Sequence, residues 1–277
     1  MERVLVNGQA LDAVATTDRG LLYGDGVFET LAVDAGRPCY WSAHMQRLQS
    51  ACQLLGLGAP DAAQLWREGL SLIGDRQRAV LKIVITRGPG GRGYRAPESS
   101  LPTRILQIHE WPDYSDTCQH DGIRTTLCTT RLGLNPSLAG IKHLNRLEQV
   151  VARREWDDAA VSEGLMLDMT GQLVEGTMSN VFIVTAGTLR TPDLTQCGVA
   201  GIMRARLLAI AEREQMEYQV QGISVDELQQ ANEVFVCNSL IGIWPVRAVD
   251  EQVYARGAVT ERLQALLQDD AVARAAV

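Results

Sequence analysis

Gly140-Ile141-Lys142-His143-Leu144-Asn145-Arg146-Leu147-Glu148-Gln149 is the stretch on which the reading of this sequence turns. It follows a loop marked by Pro136 and Gly140 and leads into a helix predicted from Leu144 to about Asp157, so Lys142 falls at an element boundary. Ile141 and Leu144 place apolar surface beside it. Desolvation disfavours the charged ammonium, and a lysine kept neutral attacks carbonyl carbon, the chemistry of a Schiff-base lysine. Alone, the pattern equally fits a solvated lysine at a helix start.

Working outward, the strand Gly164 to Asp168 turns at Thr170-Gly171 into Leu173 to Glu175, and Val181 to Val184 follows. Short strands at this spacing predict a compact antiparallel, barrel-like sheet. Glu175 ends one strand inside Glu-Gly-Thr-Met-Ser-Asn. Gly198 to Gly201 precede a helix carrying Met203, Leu207, Leu208 and Ile210, and the backbone amides of Ile202 and Met203 at its start form an anion site. Val234 to Cys237 runs as a strand into Asn238-Ser239, two small polar residues at a strand end. A last helix, Thr260 to about Gln268, leads to a tail expected to fray from Asp269.

Upstream, Val4 to Val6 turns at Asn7-Gly8 and is expected to form a hairpin with Ala13 to Ala15. A glycine-rich loop, Asp18 to Gly26, opens into a strand through Val27, Leu31 and Val33. Ser42 is the predicted cap of a helix whose apolar stripe is Met45, Leu48, Ala51, Cys52 and Leu55, with His44 and Arg47 off the stripe. The Arg47 guanidinium suits a phosphate, which it can grip with two parallel hydrogen bonds. A helix from Asp61 to about Ile73 and the strand Ala79 to Thr86 come next.

Arg87 to Tyr94 formally contains G-x-G-x-x-G at positions 88, 90 and 93. It is not a dinucleotide fingerprint, because Pro97, Pro102 and a strand from Arg104 to His109 follow where that motif needs a helix. What remains is a flexible loop between strands, with Arg92 at its centre and Arg87 at the strand end. These elements divide the chain into a smaller α+β domain (1–109), a linker (110–121) and a larger α+β barrel-like domain (122–277) expected to carry Lys142.

Composition narrows the function classes. At 277 residues, 46% hydrophobic and 21% charged, the chain has the profile of an ordinary globular protein with two domains. A net charge of −7 without any Lys/Arg run argues against a nucleic-acid partner. No apolar run suits a membrane span or signal peptide, so a cytoplasmic protein is expected. Six scattered cysteines and four histidines show no ligand spacing, so reduced thiols and no structural metal are expected.

Lys142 to Gln149, with Asp18-Arg19-Gly20 to Thr30, Arg87-Gly88 to Gly93-Tyr94, Glu175 to Asn180 and Gly201 to Arg204, closely resembles the fold-type IV pyridoxal-phosphate (PLP) enzymes. That family holds the aminodeoxychorismate lyases and the branched-chain and D-amino acid aminotransferases; His-Leu-Asn-Arg-Leu-Glu after the lysine resembles the lyase branch. The resemblance spans nearly the whole chain with its motifs in order. It implies a two-domain α+β fold like that of D-amino acid aminotransferase, a cofactor between the domains, and a homodimer. Lys142 is then the catalytic, cofactor-binding lysine, Arg47, Ile202, Met203, Asn238 and Ser239 meet the PLP phosphate, and Glu175 faces the pyridine nitrogen. Arg92 takes a carboxylate of a dicarboxylate substrate, and Tyr23, Phe28 and Thr30 line its pocket. The implied reaction converts 4-amino-4-deoxychorismate to 4-aminobenzoate and pyruvate in folate biosynthesis. The same groups would serve an aminotransferase, or a cofactor-holding protein without turnover.

Overall fold

The computed structural model describes residues 3–270. The expected frayed tail lies, after Asp270, outside the described residues. Internal packing separates the chain into two units, residues 3–112 with 141–145, and residues 113–140 with 146–270. Sequence order assigns Lys142 to the second unit; the structure groups its segment with the first, because residues 142–144 hydrogen-bond to a strand there.

In the first unit the elements are β1 (Val4–Val6), α1 (Arg19–Tyr23), β2 (Gly26–Asp34), β3 (Arg37–Pro38), α2 (Trp41–Leu54), α3 (Ala62–Ile73), β4 (Arg78–Thr86) and β5 (Thr103–His109). The strands form one antiparallel sheet in the order β1-β5-β4-β2-β3. Val27, Leu31 and Val33 of β2 pack with Met45, Leu48 and Cys52 of α2 and Leu65 and Leu72 of α3. Period-two alternation sends Phe28 and Thr30 to the other face, where both are half-buried. Ser42 is not the cap of α2. The chain enters through Tyr40 at φ 53°, so the helix starts one residue before Ser42. His44, expected off the apolar stripe, is fully buried. The expected hairpin of Val4–Val6 with Ala13–Ala15 does not form: β1 pairs with β5, and only Gln9 bridges back to Val6.

The second unit contains α4 (Thr117–His120), β6 (Ile123–Leu132), α5 (Leu147–Arg153), β7 (Val161–Asp168), β8 (Leu173–Gly176), β9 (Asn180–Thr185), β10 (Thr188–Thr191), α6 (Ile202–Arg213), β11 (Tyr218–Val220), α7 (Val225–Gln229), β12 (Glu233–Asn238), β13 (Gly242–Val249), β14 (Gln252–Val253) and α8 (Ala258–Gln268). Its sheet follows the order β11-β10-β9-β12-β13-β6-β7-β8, and a further pairing of Glu175 with Asn180 joins β8 to β9. Six strands thus close into a ring. The ring is mixed, not antiparallel as the strand spacing suggested, since β6 runs parallel to both β13 and β7. Its interior holds Leu165, Val181, Val234, Val236 and Trp244. The expected start of the linker at 110 and its end at 121 blur as well, because α4 already packs on β13. No helix among the described residues is long and apolar enough to cross a membrane.

Candidate active site

Lys142 stands in extended backbone laid against the start of β2. His143 bridges Val27, the Phe28 N–H donates to the Lys142 carbonyl at 3.0 Å, and the Leu144 N–H donates to the Gly26 carbonyl at 3.0 Å. This pairing is why the helix predicted from Leu144 begins only at Leu147. Gly26 permits the approach: a Cβ there would lie 2.5 Å from the Ile85 carbonyl oxygen and 2.8 Å from the Leu144 side chain. The Lys142 Nζ lies 4.4 Å from the centroid of the Phe28 ring. Lys82, opposite Thr30 on β4, points its Nζ at the same ring from 5.6 Å. The sequence reading missed Lys82, although its period-two position on β4 is the signal that places it there.

Beside this wall, Glu29 projects to the helical side of β2. Arg47 grips it side-on, with Nε donating to Oε1 at 2.7 Å and Nη2 to Oε2 at 2.5 Å. His44 Nδ1 lies 2.6 Å from the same Oε2. Burial works against the Glu29 charge, but the hydrogen bonds and charges of Arg47 and His44 outweigh it and hold the carboxyl at about 2. His44 is pushed below its usual range, first by burial and then by the positive charges of Arg47 and Lys142, against the pull of Glu29. A neutral His44 donating from Nδ1 to Glu29 satisfies both; its Nε2 is buried without a hydrogen-bond partner. The sequence singles out Arg47 for a phosphate; the structure shows its guanidinium on Glu29, a partner that the sequence reading, like His44 beside it, did not name. The sequence signal for Glu29 is a polar residue at an inward position of an otherwise apolar strand; His44 sits on α2 and is brought to Glu29 only by the packing of that helix on β2.

In the second unit, Glu175 is 4% exposed near the end of β8. Its Oε2 accepts from the Val199 N–H at 2.8 Å and its Oε1 from Gln149 Nε2 at 3.4 Å. Burial of Arg146 lowers its pKa, while the charge of Glu175 acts in the opposite sense. The turn after Glu175 is tied to Glu163, a fully buried carboxylate in β7. Glu163 accepts from the backbone of Gly164, Thr177 and Met178 and from the hydroxyls of Thr177 and Ser179 at 2.6 Å each. The helix α6 starts after Gly201 with no side-chain cap, leaving its first amides, Ile202 and Met203, the geometry of an anion site. Asn238 is engaged by its own turn: Oδ1 accepts from Leu240 and Ile241, and Nδ2 donates to the Met178 carbonyl. Ser239 follows it, half-buried.

The loop between β4 and β5 carries Arg92 exposed. Arg87 is committed elsewhere, to Asp25 through Nε and Nη2 at 2.7 and 3.0 Å and to the carbonyls of Leu55 and Gly56. Tyr23 accepts from the Gly93 N–H at 3.2 Å and meets Tyr94 edge-on. The first unit therefore assembles Lys142, Phe28 and the Glu29-braced Arg47 around β2. The second presents Glu175 and the start of α6. An amine nucleophile, a cation and a helix start for a phosphate, and a buried carboxylate for a heterocyclic N–H are the groups that PLP chemistry asks of a protein.

Comparison with known proteins agrees. Residues 26–249 match the family described as amino-transferase class IV. An aminodeoxychorismate lyase from Vibrio harveyi is 35% identical over 94% of this chain and 97% of its own length. The crystal structure of 4-amino-4-deoxychorismate lyase from Pseudomonas aeruginosa superposes with a TM-score of 0.92 at 48% identity, covering 96% of this chain and 98% of that one. The branched-chain amino acid aminotransferase of Escherichia coli gives 0.85 at 25% identity, covering 97% and 94%. The match over residues 26–249, most of the chain, together with a relative at 35% identity over 94% of it, shows the family: the chain belongs to the amino-transferase class IV family.

Proposed function

We propose that this chain is a PLP-dependent lyase that converts 4-amino-4-deoxychorismate to 4-aminobenzoate and pyruvate, a step of folate biosynthesis. The observation that carries the reading is the 48% identity to the Pseudomonas aeruginosa lyase over 96% of the chain. When bound, PLP supplies an aldehyde that condenses with amines and a ring that takes up the electron pair of a broken C–H bond. Lys142 would hold the cofactor through Nζ and, once displaced by the substrate amine, take the proton from the adjacent carbon at the same atom. Arg47, braced by Glu29, and the amides of Ile202 and Met203 would hold the phosphate, with Asn238 and Ser239 at its edge. Glu175 would keep a proton on the pyridine nitrogen. Arg92 would bind a substrate carboxylate, while Tyr23, Phe28 and Thr30 would line the pocket. Loss of the enolpyruvyl oxygen makes the ring aromatic, which drives the step forward.

The working unit proposed is a cytoplasmic homodimer. None of the six cysteines, all among the described residues, is in a disulfide, which suits a reducing compartment. An aminotransferase is the second reading, favoured by the likeness to the Escherichia coli enzyme. The test is an assay of purified, PLP-loaded protein with 4-amino-4-deoxychorismate. Equal amounts of pyruvate and 4-aminobenzoate are expected. Amino transfer to a keto acid without pyruvate release would overturn the lyase reading.

A further inference from the structure

The sequence describes Arg87 to Tyr94 as a flexible loop, yet its hydrogen bonds describe a braced one. Its first half is tied by backbone to the segment before α1. The Arg19 N–H donates to the Gly88 carbonyl at 3.0 Å, the Gly90 N–H to the Thr17 carbonyl at 3.0 Å, and Asp18 bridges Pro89. Its second half is tied by one side chain. Arg19, 3% exposed, donates from Nη1 to the Gly93 carbonyl at 2.8 Å and from Nη2 to the Tyr94 carbonyl at 2.9 Å. The remaining donor, Nε, reaches Asp25 Oδ2 at 2.9 Å. Asp25 is itself fixed by Arg87, whose hydrogen bonds and charge, with those of Arg19, overcome burial and hold its carboxyl below the usual range. Tyr23 completes the brace, its ring 4.8 Å from the Arg19 guanidinium carbon and its hydroxyl on the Gly93 N–H. Gly90 leaves room for the arginine stem, because a Cβ there would lie 2.7 Å from Arg19 Cδ.

The ties fall on residues 88–90 and 93–94. Between them stand only Gly91 and Arg92, the exposed apex. A planar guanidinium with three donor edges, each aimed at a different fixed acceptor, cannot turn without breaking all three contacts, so it sets the height and direction of the strand it holds. We propose that Arg19 is a positioning residue: it fixes the loop so that Arg92 is presented at its apex to the substrate carboxylate. The inference rests on the reading of Arg92 as a carboxylate-binding residue. Arg19 acts through the loop and takes no part in the chemistry.

The test uses the full chain loaded with PLP. Trypsin cleaves after Arg92 and Arg95 only as fast as the loop opens, so Arg19→Met, which keeps the stem and removes all three donors, should raise the cleavage rate at these bonds about tenfold or more. The same variant should raise KM for the lyase substrate about tenfold while kcat stays within about twofold, the pattern of lost uniform binding. Arg19→Lys retains a charge for Asp25 but cannot span the two carbonyls, so it should fall between parent and Met. Arg92→Met should match the KM of Arg19→Met, and the double variant should add nothing further. Should Arg19→Met fail to fold, Tyr23→Phe, which loses only the hydroxyl on Gly93, should move cleavage and KM in the same direction by a smaller factor. Unchanged cleavage in the folded variants would overturn the brace. Faster cleavage with unchanged KM, where Arg92→Met does raise KM, would overturn the positioning role. An unchanged KM in Arg92→Met alone would locate the failure in the reading of Arg92, and the proposal would fall with it.

Discussion

Glu29 in the first unit and Glu163 in the second are both 1% exposed, and the protein stabilises them in opposite ways. Glu29 meets a guanidinium and an imidazole, and its carboxyl is held at about 2. Glu163 meets three backbone N–H groups and two hydroxyls, all neutral; burial dominates and pushes it up. The same side chain at equal burial thus does two jobs. One binds and aims a cation, Arg47, beside the wall that carries Lys142; the other knits the turn that follows Glu175. Charged partners are gathered where a guanidinium must be aimed, and neutral donors suffice where only a turn must be shaped.

The largest effect expected tests whether the charge-rich corner of the first unit is the reactive one. Lys142→Ala should lower turnover by at least about a thousandfold, roughly 4 kcal/mol, and abolish the visible absorbance of lysine-bound cofactor, with the fold unchanged. An unchanged absorbance band in the variant would remove Lys142 from the chemistry and break the comparison at its centre.

Next is Glu29→Gln, which leaves Arg47 without its anion. The depressed carboxyl corresponds to a loss of about 3 kcal/mol of folding stability at neutral pH, together with weaker PLP retention. Because the folded value of about 2 lies below the ordinary value of 4.5, this stabilisation is present above about pH 4.5 and fades as pH falls toward 2. Urea unfolding of parent and variant should therefore show a gap that narrows on acidification. A gap independent of pH would mean that Glu29 acts by packing and not by charge.

Glu175→Gln probes a carboxylate that meets neutral donors at 2.8 and 3.4 Å in the structure but would meet a protonated ring in the working enzyme. Turnover should fall about ten- to a hundredfold, about 1.4 to 2.7 kcal/mol, with PLP affinity little changed. A deuterium label on the carbon that loses its proton should slow the variant more than the parent. Parental turnover would group Glu175 with Glu163, as a shaper of backbone.

Smallest of all should be Glu163→Gln, about 1 kcal/mol at neutral pH, since no cation loses its partner. Here the pH dependence reverses. A raised carboxyl favours the folded state at low pH, and that contribution is lost as pH rises through its folded value, so the variant should gain on the parent above about pH 4.5. Equal losses for Glu29→Gln and Glu163→Gln at pH 7 would erase the distinction between the two sites.

The sequence by itself determined the family and most strands and helices of the first unit. These depend on local order: α3 starts one residue after the predicted Asp61, which caps it, and β2, β4 and β5 follow apolar runs that alternate or persist over nearly their full length. Tertiary structure alone decided where Lys142 packs, because its segment gives up helix hydrogen bonds for a bridge to β2, a partner more than a hundred residues away. It also decided that β1 joins β5 instead of folding back, and that β8 and β9 close the ring through Glu175 and Asn180. Periodicity tells which face of an element is buried but not which element covers it. For the same reason the roles of Glu29, His44 and Arg19 were not legible in the sequence: a buried polar group is defined by its partners, and those partners are brought to it only by the fold.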